Sequence, residues 1–175
     1  MSPDERRFQA LKTRINVETR NLTKIEARLQ RYLRLLDEVK TKGGKESLIE
    51  EADVGVLIGA VLDDWYHAAE GIFKMIAAEI DGGIPSGESW HKQLVIQVSQ
   101  EIPGVRPPVV TERTASGLDE LRKFRHVFRN VYGFSLETVK VRKLAKKLPG
   151  LSEAFKDEID RFCRKMNALF SAAED

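Results

Sequence analysis

An all-α, up-and-down bundle of four to five main helices is the architecture this sequence predicts, and three observations predict it. Apolar residues recur at three- and four-residue steps along most of the chain, the period of a helix with one buried face. Glycine and proline punctuate those stretches at Gly43-Gly44, Gly82-Gly83, Pro103-Gly104 and Pro149-Gly150. No alternating run of strand type stands out between them. A chain of 175 residues suits a single domain spanning 1–175, long enough to bury a core.

Ser2-Pro3-Asp4-Glu5 is a helix start, with serine as cap, proline at the first helical position and glutamate at the capping-box position. Phe8, Leu11, Ile15, Leu22, Ile25, Leu29, Tyr32, Leu36 and Val39 then trace a heptad seam, interrupted by Glu18 and closed at Lys42-Gly43-Gly44. So long a seam needs a long partner, either the second helix or another subunit. The second helix is expected from about Ser47 to Ile80, giving an antiparallel hairpin over 3–80. Its early small residues (Ala52, Gly55, Gly59, Ala60) permit close helix approach, and its later part is bulky. Ser86 or Ser89 can cap a third helix reaching about Ile102, and Val105 to Thr111 reads as an extended connector. A fourth helix is expected over about 116–133, closed by Gly133. A short basic helix, Leu136 to Leu148, should break at Pro149-Gly150 before a last helix from about Ser152 to Ala172.

Several function classes drop out. The charged amino terminus lacks a signal peptide's apolar region, and the longest apolar run, Val54 to Leu62, is about half a membrane span. No membrane partner is expected, and the cytoplasm is the expected location. The single cysteine, Cys163, allows no internal disulfide and reads as a small core residue. Asp64 with His67, and Glu88 with His91, match the acid-x-x-His spacing of di-metal bundles. That chemistry also needs inward glutamates from two other helices, so no metal and no cofactor is expected. No phosphate-cradling glycine loop or nucleophile elbow appears.

Leu121 to Phe134 carries the chemistry. Wound as a helix, it sets Arg122, His126, Arg129 and Asn130 on one face and Leu121, Phe124, Phe128 and Val131 on the other. Arg125 and Tyr132 share a flank. From Leu121 to Leu148 nine basic residues meet one acid, Glu137, so the segment carries +8 within a chain of +2, leaving −6 elsewhere. Such a patch is a footprint for a polyanion, although a solvated basic face gives the same pattern. RNA cleavage by the 2′-hydroxyl needs an imidazole, a second proton-transfer group and a guanidinium clamp, but no metal. His126 with Arg122 and Arg129 supplies the first and third, and a two-fold dimer presenting two histidines would complete the set.

Three runs, PSGESWHKQLVIQV (85–98), PGVRPPVV (103–110) and LDELRKFRHVFRNVYGFSLE (118–137), resemble the HepT-like branch of the HEPN superfamily. That resemblance covers about residues 45–170. It implies a helical bundle, a homodimer and a metal-independent endoribonuclease acting in a cleft between protomers. It also implies a toxin paired with a minimal nucleotidyltransferase antitoxin. By residue type it carries catalytic roles to His126, Arg122, Arg129 and Asn130, and makes Tyr132 a target for adenylylation. In the family four to six residues intervene between the arginine and the histidine, whereas three separate Arg122 from His126. Arg125, Lys140, Arg142, Lys143, Lys146 and Lys147 are the expected contacts to the RNA backbone. The alternative is a non-catalytic module that binds the nucleotidyltransferase, a nucleotide or RNA.

Overall fold

The first helix begins where its capping residues place it: Ser2 Oγ accepts from the Glu5 amide at 3.1 Å. A computed structural model describes residues 2–42, 49–130, 132 and 135–172. Five helices stand among them: α1 (Pro3–Lys42), α2 (Glu51–Glu79), α3 (Trp90–Ser99), α4 (Glu112–Asn130) and α5 (Thr138–Ala172). The architecture is all-α, and the one bridge outside them joins Ile102 to Arg106. None of the described helices is long and apolar enough to cross a membrane.

The α1 seam buries Phe8, Leu11, Ile15, Leu22, Leu29, Leu36 and Val39, and α1 packs on α2 and α5 of its own chain. Glu18 is half-buried and accepts from the Asn21 side chain, whose Nδ2 donates to it. At the centre Trp65 and Phe73 of α2 each meet Phe155 of α5 edge-on, with ring centroids 5.6 Å apart. The Trp65 indole donates to Ser152 Oγ at 3.3 Å, Ser152 donates to Glu26 of α1, and Lys156 pairs with Glu26 at 2.9 Å. That chain of bonds satisfies the polar atoms the seam buries. Cys163 is buried, and burial pushes its thiol up to about 11.

Several expectations about boundaries are corrected. Pro149 does not break the chain; it lies inside α5. Val141, Ala145, Leu148, Ser152, Phe155, Ile159, Phe162 and Met166 are all buried, at alternating steps of four and three. Pro149 and Gly150 sit on the exposed side of that continuous seam, so the proline costs the helix one backbone bond without disturbing the buried face. The fourth helix starts at Glu112 rather than near Ser116, because Thr111 caps it. Thr111 Oγ1 accepts from the Thr114 amide at 3.3 Å and donates to buried Glu158 at 2.8 Å. The second helix starts at Glu51, where the Glu50 amide donates to the Asp53 carboxylate at 3.2 Å. The expected stops at Gly43-Gly44 and Gly133, the start at Ser47 and the side chain of Val131 lie outside the described residues.

The connector fixes α3. Arg106 is 2% exposed and pairs in bidentate fashion with Asp81 at 2.6 and 2.7 Å. It also donates to the carbonyls of Gln97, Gln100 and Pro107. By taking carbonyls from the end of α3 it stops that helix at Ser99, short of the expected Ile102. Gly55 and Gly59 are the close approaches their size implies. A Cβ on Gly55 would meet Thr138 Oγ1 at 2.6 Å, and one on Gly59 would meet the Phe128 ring at 2.7 Å.

Candidate functional site

Beside the α3–α4 contact a cleft of about 200 Å³ opens to solvent, lined by Glu88, Ser89, His91 and Lys92 from the α3 side and by Arg122, Arg125, His126, Arg129 and Asn130 of α4. The four residues expected on one face of α4 therefore all line one surface. Leu121 is buried on the other side of the helix, and Phe124 and Phe128, half-buried, stack there at 5.6 Å. Phe128 against Gly59 holds the carboxyl-terminal half of α4 close to α2.

Below the cleft lies a layer of opposite charge. Asp63, Tyr66 and Glu70 share one stripe of α2, at the spacing i, i+3, i+7. Against them stand Arg122, Arg125 and Arg129 of α4, at the same spacing and running the other way. Arg125 Nε pairs with Asp63 at 3.0 Å and its Nη1 with Glu70 at 3.2 Å, while Arg129 pairs with Asp63 at 3.2 Å. Glu70 is 1% exposed and also holds Lys74 at 3.3 Å and His91 Nδ1 through a short hydrogen bond. Burial works against its ionisation, but the His91 bond and the charges of His91, Lys74 and Arg125 outweigh it and hold the carboxyl below its usual range. Tyr66, buried against Glu70, has its phenol pushed well above the usual value, by burial first and by the Glu70 charge next.

The predicted residues have different fates. His126 and Arg129 are exposed in the cleft, and Arg122, half-buried, is tied to Asp119 at 2.7 Å. Asp119 is held below the usual carboxylate range; burial opposes this, and the bonds and charges of Lys123 and Arg122 prevail. Asn130 donates to the His126 carbonyl at 2.6 Å, so its amide serves the backbone rather than the imidazole. Arg125, expected at the RNA backbone, is committed to two carboxylates beneath the surface. Lys140, Arg142, Lys143, Lys146 and Lys147 line no part of the cleft. They lie on the first turns of α5, where Arg142 pairs with Asp37 of α1 and Lys147 pairs with Glu120 on the far flank of α4. The reason is the crossing of α5 over α4 at Gly117, where a Cβ would meet Leu151 at 2.7 Å. Tyr132 is 76% exposed and is not a cleft residue. Of the two acid-x-x-His pairs, Asp64 instead binds Arg28 and His67 is exposed.

A family model described as HepT-like protein matches residues 57–166, well over half of the chain. The chain belongs to the HepT-like family. Every cleft residue and every carboxylate beneath it falls inside the matched region of this HepT-like protein, and α1 falls outside it. No curated protein and no solved structure matches the chain. Sequence reasoning missed Asp63 and Glu70, and weighed His91 only in an acid-x-x-His pair with Glu88. The signal for the first two was present, as acids spaced i, i+7 in a helix otherwise apolar on that side.

Proposed function

We propose that this HepT-like protein binds a phosphate of single-stranded RNA in the α3–α4 cleft and cleaves the chain there without a metal. The observation that carries this reading is the convergence of His126, Arg122 and Arg129 on one open surface above half-buried counter-charges. Asp119 and Asp63 hold the two guanidiniums by their Nε atoms, at 2.7 and 3.2 Å, which orients them before any phosphate arrives. His126 takes the proton of the 2′-hydroxyl as that oxygen attacks phosphorus, and the arginines meet the charge growing on the non-bridging oxygens. A homodimer, the assembly generally associated with the family, would carry two such clefts. The pairing with a nucleotidyltransferase antitoxin belongs to the same proposal. In it the exposed phenol of Tyr132, 76% accessible, is the group that receives the nucleotide.

Cleavage of single-stranded RNA in the presence of EDTA, leaving 2′,3′-cyclic phosphate ends, is the expected result. His126→Ala should slow it by about 10²–10⁴-fold. RNA left intact by micromolar protein over hours would refute cleavage. If a nucleotidyltransferase then binds wild type and His126→Ala alike but not the Arg122→Glu, Arg129→Glu variant, the cleft is a docking surface.

A further inference from the structure

Cleavage by the 2′-hydroxyl needs two proton transfers, and α4 alone supplies one imidazole. The fold brings a second into the same cleft from another helix. We propose that His91 is the proton donor to the leaving 5′-oxygen, with Glu70 as its positioning residue, so that one protomer holds both imidazoles. This rests on the reading of the cleft as an RNA-cleaving site.

Three observations carry it. His91 lines the cleft opposite His126, and its side chain is 34% exposed, so the ring is anchored yet reaches solvent. Its Nδ1 is engaged by Glu70, which leaves Nε2 as the nitrogen available to a substrate. Glu70 is itself fixed by Lys74 and Arg125, and the neighbouring Trp90 ring stacks on the imidazole at 3.6 Å under Lys74. A carboxylate behind one imidazole nitrogen fixes the tautomer and ring orientation that the other nitrogen needs. The charged groups around the ring are Glu70 and Lys74 from α2, Glu88 and Lys92 from its own side, and Arg122, Arg125, His126 and Arg129 from α4. Of the two imidazoles, His91 has a carboxylate counterion and is assigned the donor. His126, with an arginine one turn away on either side, is assigned the acceptor.

The protons balance. The 2′-hydroxyl gives its proton to His126 as the bond from O2′ to phosphorus forms, and the bond from phosphorus to O5′ breaks as His91 protonates O5′ from Nε2. A 2′,3′-cyclic phosphate and a 5′-hydroxyl result, and solvent exchange restores both rings. A simple tie between α3 and α2 would also account for the His91–Glu70 bond, so the test must separate the two.

Proton NMR of wild-type protein titrated with uridine 3′-phosphate does so first. The imidazole signals of both His91 and His126 should move with nucleotide, while those of His67, exposed and outside the cleft, stay unchanged. Movement of His126 alone overturns the proposal and leaves the cleft reading standing; movement of neither ring removes both. Kinetics then assign the role. His91→Ala should slow cleavage of ordinary RNA by at least about 100-fold. It should do so by less than tenfold on RNA with sulfur at the 5′-bridging position, because a thiolate leaves without a proton. Equal losses on the two substrates would reduce His91 to a structural tie.

Discussion

At the scale of single residues, Glu70 decides more than any group on the surface of the cleft. It is a buried carboxylate shared by His91, Lys74 and Arg125, so it ties α2 to both helices that form the site. Glu70→Gln keeps the shape and removes the charge. Breaking a buried pair from one side costs about 3–5 kcal/mol, and Arg125 retains Asp63, so about 3 kcal/mol is expected. For a chain of this size that is a Tm lower by roughly 6–12 °C, measurable by circular dichroism. The pH dependence has a definite sign. Because the folded carboxyl is held below its usual range, the folded chain binds this proton less readily than the unfolded chain. The stabilisation is therefore complete above the unfolded value of about 4.3 and is lost as pH falls through the lower, folded value. Wild type and Glu70→Gln should accordingly differ most near neutral pH and converge on acidification below about pH 4. A gap that stays constant down to pH 3 would mean the charge of Glu70 does not hold the helices. None of this was readable from Glu70 in isolation, since which acid meets which arginine depends on the register of two helices. Arg106 was hidden in the same way: a cation among Val105, two prolines, Val109 and Val110 gives no sign in sequence that it is buried on Asp81.

At the scale of elements, helical periodicity carried most of the information, and it failed where a local rule was set against it. The seam of α1, the small-residue face of α2 and the polar face of α4 were all recoverable, because each is a repeat within one helix. Pro149-Gly150 looked like a stop, yet the seam from Val141 to Met166 keeps its phase across the pair, and packing against α1 and α2 overrides the local preference. Continuity of α5 has a consequence at Gly150, which is exposed, helical and free of neighbours within 4 Å of an added Cβ. In a helix interior, Gly150→Ala should stabilise by about 0.5–1 kcal/mol, raising Tm by roughly 1–4 °C. At a break between two helices the substitution would bring no such gain, and a lower Tm would contradict the continuous helix.

At the scale of the whole molecule, folding changes what the basic segment means. As sequence it carries +8 and invites a polyanion along its whole length. In the folded chain seven of its nine cations have carboxylate partners: Arg122 and Lys123 on Asp119, Arg125 on Asp63 and Glu70, Arg129 on Asp63, Lys140 on Glu137, Arg142 on Asp37 and Lys147 on Glu120. Lys143 and Lys146 pair with no carboxylate among the described residues, but both stand on α5, apart from the cleft lining. RNA held at the cleft meets Arg122, Arg129 and Lys92, about three cations, and single strands release roughly 0.7 counterion per phosphate neutralised. The logarithm of affinity should then fall with the logarithm of salt at a slope of about −2. Lys143→Glu with Lys146→Glu should leave that slope unchanged, whereas Arg122→Ala with Arg129→Ala should flatten it to about −0.7. The opposite pattern, a slope of about −3.5 that relaxes in the α5 variant, would run the RNA along α5 and away from His126.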